Sequence, residues 1–303
     1  MGDRQRKQGT WKAVLGVGLC SVLWGSAFPA IKYVYALWGE QGVDISLWTR
    51  WWFAGVRFVL AGGALLLLSR NVMAQYRATS KRYLIAMMLC QTVSQYIFFY
   101  WALIYGSGSL CALLTATGSF WWILLAPFFG AASWGGWRVW GVLLLGAVGV
   151  ALAVYSPSDP SRSAPLGIGL MLCATLSGSL AVLLFGKVKP TMNAMPATGV
   201  SLFIGGLCLC GVGAPAIGDS AVLFTSPVMG CTVYLAMVSA TAFTIWNELS
   251  TRYPIALLAT YRFMIPIVGL GLSVLFIPEE SLTMLVVFGA CTVALAMALA
   301  NRL

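Results

Sequence analysis

The 303-residue sequence contains no histidine, and only 9% of its residues are charged. Without histidine there is no Ser-His-Asp set and no imidazole metal ligand. Soluble domains carry about 25% charged residues. A chain that is 60% hydrophobic at this length has more apolar surface than a water-soluble globule can hide. No GxxxxGK[ST] loop occurs, so the chain itself does not hydrolyse ATP. The eight cysteines, Cys20, Cys90, Cys111, Cys173, Cys208, Cys210, Cys231 and Cys291, lie in apolar segments without a CxxC pair. That pattern argues against a disulfide framework or zinc site and for small residues in helix packing. No cofactor or metal is expected, and nothing marks the chain as an enzyme.

Acidic residues are also scarce, eight against eighteen basic ones, for a net charge of +10. No basic-aromatic array of a nucleic-acid binder accompanies that charge. The cations sit between apolar runs, where they orient a chain in a membrane. The basic start, MGDRQRKQGTWK, leads into an apolar run that continues through Lys32 and Tyr33. A cleaved signal has a short apolar core, so this run reads as a retained helix.

Apolar segments of about 20 residues are spanning candidates. They fall near 12–33, 45–69, 83–104, 107–129, 138–155, 166–186, 195–217, 224–247, 254–277 and 281–301. The third and fourth are joined by a tight turn at Tyr105 and Gly106. With the N-terminus in the cytoplasm, cytoplasmic stretches hold Arg4, Arg6, Lys7, Lys12, Arg70, Arg77, Lys81, Arg82, Arg138, Lys187, Lys189, Arg252 and Arg302. The loops of the other side hold Arg162 alone. Glu40, Asp44, Asp159, Asp219, Glu279 and Glu280 all fall outside. This asymmetry is the one expected of cytoplasmic loops and puts both termini in the cytoplasm.

The chain echoes itself. GAVGVALA at 146–153 matches GACTVALA at 289–296, and LGVGL at 15–19 matches LGIGL at 166–170. Gly25-Ser26 and Gly178-Ser179 follow at similar distances, and Trp101 and Trp246 occupy similar places. These echoes suggest two five-helix repeats, 1–155 and 156–303. Five is odd, so the second repeat enters the membrane from the opposite side. The expected fold is therefore all-α and polytopic, ten transmembrane helices in two inverted repeats. That is a common plan of secondary transporters, with substrate bound between repeats near mid-membrane.

WGSAFPAIK at 24–32, RFVLAGGALLLL at 57–68, FFYWALIYGSGSLCALL at 98–114 and WGVLLLGAVGVALAV at 140–154 resemble the drug/metabolite transporter superfamily, its EamA branch in particular. The resemblance spans nearly the whole chain. It implies ten helices, a central cavity between halves, and export of amino acids or other small metabolites across the inner (cytoplasmic) membrane. Two features depart from that pattern. A TPL-like proline stretch of the fourth helix is replaced by TATGSFWW, with Pro127 later, and the next loop, GAASWGGWR, lacks an acid. The second half keeps both features, as Pro266 and Glu279/Glu280.

Candidate site residues are those whose chemistry is out of place in lipid. Arg57 lies about 18 Å into the second span and Arg262 about 12 Å into the ninth, at 1.5 Å per residue. A mid-membrane cation is costly and should face a cavity or partner. Each reads either as a counter-charge for a substrate carboxylate or as a structural cation on backbone carbonyls. Arg262, beside Tyr261, is slightly preferred, because Pro266 removes the donor that would bond its carbonyl. Glu248 could carry a coupling proton, although Arg252 at i+4 favours a plain ion pair. Trp24, Trp121, Trp122, Tyr100 and Trp101 could wall an apolar substrate or simply pack in lipid. Gln91, Ser94 and Gln95 could line a cavity, and Asn247 likewise, or bond neighbouring helices.

The expected partners are a small-molecule substrate, the bilayer, and a proton or counter-substrate, with the chain a monomer or homodimer. The leading reading is export of amino acids or related carboxylates. An organic-cation uptake or exchange carrier, a lipid-carrier flippase and a non-transporting scaffold are the alternatives.

Overall fold

In hydrocarbon no water can pair the backbone N–H and C=O groups, so each apolar run must close its own hydrogen bonds as a helix. The computed structural model describes residues 2–43, 45–105, 114–154, 165–219, 223–276, 284–300 and 302. Asp44, Gly106, Cys111, Asp159, Arg162, Glu279, Glu280 and the boundary between 155 and 156 lie outside them, as do the side chains of residues 1–10.

The described residues are mostly helical, with no strand among them. The helices are α1 (Gly2–Glu40), α2 (Leu47–Leu68), the short α3 (Val72–Ala78) and α4 (Lys81–Tyr105). Next come α5 (Gly118–Leu125, extended by a 3-10 turn Ala126–Phe129), α6 (Trp137–Val154) and α7 (Pro165–Val188). The chain continues as α8 (Ala194–Val212), α9 (Ser226–Arg252), α10 (Ile255–Tyr261), α11 (Met264–Phe276) and α12 (Met284–Ala300). Six of these, α1 from Trp11 onward, α2, α4, α7, α8 and α9, are long and apolar enough to cross a membrane, and shorter apolar helices accompany them. Their outer faces are greasy: Leu67 is 88% exposed, and Phe128, Leu144 and Phe288 are also bare. Such a surface suits lipid, not water.

The first and ninth spans differ from expectation. α1 runs on to Glu40 instead of ending at 33, because Val34 and Trp38 are fully buried against Phe53 of α2. The helix stops only where Gly42 takes φ +68. The ninth span is not one rod but two, α10 and α11.

α2 packs along α8 and α6 along α12. α1 packs on α9 and α11, while α7 packs on α4 and α5. α2 touches α9, and α4 touches α8. The segments of similar sequence at 146–153 and 289–296 meet each other: a Cβ built on Gly149 would lie 2.9 Å from the Gly289 carbonyl. At one end of the bundle Trp38 Nε1 donates to the Leu223 carbonyl at 2.9 Å. At the other, the Asn193 N–H donates to Gln75 Oε1 at 2.9 Å and Thr191 bonds Thr79 at 3.0 Å.

Candidate functional site

Two of the apolar segments are broken, and the breaks touch. In the fourth, the backbone tightens into a turn at Ala116–Thr117, where the Thr117 N–H donates to the Leu114 carbonyl at 3.0 Å, before α5 begins at Gly118. Thr117 Oγ1 donates back to the Leu114 carbonyl at 2.6 Å. In the ninth, α10 ends at Tyr261 and α11 starts at Met264. The Arg262 guanidinium, from the second break, lies against Gly118 at the first. A Cβ built on Gly118 would sit 2.7 Å from Arg262 Cζ, so no larger residue fits there without moving that guanidinium. Ser179 of α7 donates to the Gly118 carbonyl at 2.8 Å, and the Thr117 and Thr175 hydroxyls are 3.0 Å apart. The expectation that Pro266 frees the Arg262 carbonyl is corrected. The backbone tightens at the break, and the Ile265 N–H donates to that carbonyl at 3.1 Å.

An aromatic ladder leads away from this point. Trp122, one turn after Gly118, stands 5.9 Å from Trp246, and Trp246 stands 5.6 Å from Trp24 (ring centroids). Trp24 meets Phe243 edge-on at 5.5 Å, and Phe243 meets Tyr96 at 6.5 Å. Tyr96 contacts Phe58 at 4.4 Å and Tyr100 at 6.2 Å. The ladder ends on Arg57, whose guanidinium lies 4.3 Å from the Phe58 ring centre and 5.4 Å from that of Tyr96. Arg57 is 3% exposed, and its Nε has no hydrogen-bond partner, nor does the buried Tyr100 hydroxyl. Two turns earlier on α2, Arg50 lies over Tyr35, 5.0 Å from its centre. Tyr35 is within electrostatic reach of both arginines.

Among the described residues, the ion pairs are those of Glu248, with Lys189 and Arg252. No carboxylate among them pairs with Arg57 or Arg262. A cation held away from water without an acid is costly, and the ring faces offset only part of that cost.

The structure therefore brings together Arg262, Trp122, Trp24, Tyr100 and Arg57. Tyr261 is fully buried in the same core as Trp122 and Trp246. Gln95 lies beside Gly178, next to Ser179, where a built Cβ would be 2.8 Å from its Oε1. Four candidates lie elsewhere. Trp101 is exposed on the outer face. Trp121 is off the ladder, because its neighbour Trp122 holds the inward face and successive helical residues point about 100° apart. Gln91 belongs to a separate hydrogen-bonded cluster with Ser201 and Asn247. Glu248 accepts from Lys189 of the α7–α8 connection and from Arg252 Nε at 2.7 Å, as a paired carboxylate.

Glu248→Gln is expected to lower stability by no more than about 1 kcal/mol, the scale of a surface pair. Assayed for the proton-coupled transport that the sequence suggests, the variant should keep the parental pH profile in vesicles. A lost or shifted pH profile would make Glu248 a proton carrier after all.

Phe243, Tyr96, Tyr35 and Arg50 were absent from the sequence candidates. Phe243 precedes Trp246 by three residues and Tyr96 precedes Tyr100 by four, so helical spacing already puts each pair on one face.

No family model matches the chain, and no curated protein does. A solved crystal structure of a protein is similar in fold. It superposes with a TM-score of 0.75 over 95% of this chain and 96% of that one, at 13% sequence identity. At that identity the likeness speaks for the fold alone. Its coverage extends that likeness over nearly the whole length of both chains.

Proposed function

We propose that this protein is a secondary transporter of the drug/metabolite transporter type, moving small carboxylate-bearing metabolites, amino acids or their relatives, by alternating access. The observation that carries the reading is Arg262, a guanidinium without an acid partner among the described residues, held where two broken helices meet. Broken helices in corresponding places of two halves are a pointer to the substrate site of transporters. The ladder from Trp122 to Tyr96 would take the apolar part of the substrate, and Arg57 offers a second cation at its far end.

Several features support ten spans in two inverted halves. The four shorter apolar segments bring six long helices to ten. Exchanging the first five spans for the last five maps the helix pairings onto themselves: α1–α9 becomes α7–α4, α1–α11 becomes α7–α5, and α2–α8 maps to itself. The contact of Gly149 with Gly289 places the echoed segments side by side, as a two-fold axis between them requires. Loops assigned to one side also meet: Gln75 and Thr79 reach the Thr191–Asn193 connection, while Trp38 reaches Leu223. The charge asymmetry supports putting both termini in the cytoplasm.

Counterflow in proteoliposomes tests the reading. Vesicles preloaded with an unlabelled amino acid should accumulate the labelled one, and should not accumulate its methyl ester. Equal accumulation of acid and ester would remove the carboxylate from the recognition step, and accumulation of choline in place of both would favour the organic-cation carrier. Trp24→Ala should lower carboxylate counterflow by about three- to tenfold, the worth of one aromatic pair. Unaltered flux in that variant would take the ladder out of the substrate's path.

A further inference from the structure

Apart from the arginines and their ladder, a second cluster of buried polar groups joins the two halves, and it contains only oxygen and amide groups. α4 widens into a π turn over Leu89–Ser94, a distortion common at functional sites. Gln91 and Thr92 project from this turn, about 15 Å along α4 from Lys81. α8 supplies Thr198 and Ser201, and α9 supplies Asn247. Gln91 is 2% exposed, and the other four are fully buried. Gln91 Nε2 donates to Ser201 Oγ at 3.2 Å, and Ser201 Oγ lies 3.2 Å from Thr92 Oγ1. Asn247 Nδ2 donates to Gln91 Oε1 at 3.1 Å and to Thr198 Oγ1 at 2.9 Å. α8 comes this near because residue 205 is glycine: a Cβ there would lie 2.6 Å from Thr92 Cβ.

The cluster is not self-sufficient. Asn247 Oδ1 is buried and receives no hydrogen bond. An orphaned carbonyl oxygen in such a place is destabilising unless something positive or protic meets it. The surroundings narrow what that is. No group in the cluster titrates near neutral pH, so it cannot hold a coupling proton. No three described His, Cys, Asp or Glu side chains gather anywhere to hold a metal. Divalent and transition ions call for carboxylate, imidazole or thiolate ligands. Five neutral oxygens, those of Gln91, Thr92, Thr198, Ser201 and Asn247, suit a small monovalent cation. Each hydroxyl keeps a lone pair, and turning either amide about its last bond exchanges nitrogen for oxygen.

We propose that Gln91, Thr92, Thr198, Ser201 and Asn247 form a Na⁺ site between the halves. Two of its ligands come from the first half and three from the second, so a bound ion would hold α4 against α8 and α9. Release would let them part. The site does not depend on the carboxylate reading. If both hold, a sodium gradient drives the substrate.

The test uses the purified full-length protein and ²²Na⁺ in a scintillation proximity assay, with no organic substrate present. Binding should be saturable, displaced by NaCl, and not displaced by KCl or choline chloride. Thr198→Val and Ser201→Ala each remove one oxygen with little change of shape, and each should weaken ²²Na⁺ binding by about tenfold or more. Size-exclusion profiles would verify that both variants fold. Absence of saturable binding, equal displacement by KCl, or wild-type affinity in both variants would overturn the proposal and leave a water-bonded structural cluster. None of those results touches the counterflow test, so the two readings fail separately.

Discussion

Arg262→Met is expected to reduce counterflow of carboxylate substrates by about tenfold to a hundredfold, the loss of one charged hydrogen-bonding partner. Methionine keeps much of the side-chain volume over Gly118 but removes the charge. Its effect on stability should be opposite in sign. A half-buried guanidinium without an acid partner among the described residues still costs desolvation energy, and an apolar group of similar size avoids that cost. The variant should therefore melt at the same temperature as the parent or higher while transporting poorly. That combination separates a substrate contact from a structural strut, because a strut would lose stability along with activity. Arg262→Lys keeps a charge but loses the planar fork that grips a carboxylate by two bonds, so it should recover only part of the flux. Transport at the parental rate in Arg262→Met would take Arg262 out of the site and leave Arg57 as the remaining buried counter-charge.

Much of the bundle is legible in the sequence because hydrocarbon enforces a simple rule: apolar length becomes helix. The span read at 45–69 is α2, Leu47–Leu68, and that at 166–186 is α7, Pro165–Val188. The exceptions have physical causes. Lys32 and Tyr33 look like the end of the first span, yet both are exposed while the next turns bury Val34 and Trp38. Burial on one face carries the helix from 33 to Glu40, farther than average polarity suggests. The break at Arg262–Phe263 has no glycine, and the nearest proline, Pro266, already lies inside α11. Its position depends on how α10 and α5 meet, which no local pattern encodes.

The site was half legible. Arg57, Arg262 and Trp24 stand out because each is costly or bulky at mid-span. Their connection does not, since Trp24 reaches Phe243 and Trp246 across most of the chain. Thr198 and Ser201 gave no signal at all. Small hydroxyl residues are ordinary in apolar helices, where they commonly bond their own backbone. Only the packing of α8 against the π turn and α9 shows that Ser201 meets Gln91 and Thr92 while Thr198 meets Asn247.

Gly206→Ala should be among the most damaging single methyl additions in the molecule. With no hydrophobic effect between helices in lipid, α2 and α8 hold together by close van der Waals contact of small residues. Gly55 and Gly62 on α2 face Gly199 and Gly206 on α8, at seven-residue spacing on both helices. A Cβ at 206 would lie 2.7 Å from the Val59 backbone nitrogen and 2.9 Å from the Gly55 carbonyl oxygen. Neither atom can rotate aside, so the two helices must separate along the seam. Overpacking of this kind costs about 1–3 kcal/mol. Gly169→Ala on α7 adds the same methyl where nothing lies within 4 Å. It should be neutral or mildly stabilising, since alanine is the better helix former. Thermal unfolding of the two variants in the same detergent should therefore show a marked drop for Gly206→Ala and none for Gly169→Ala. Equal melting temperatures would mean that the α2–α8 seam is looser than this geometry. The same seam joins the first half of the chain to the second, so a variant that opens it should also lose transport before it loses its helices.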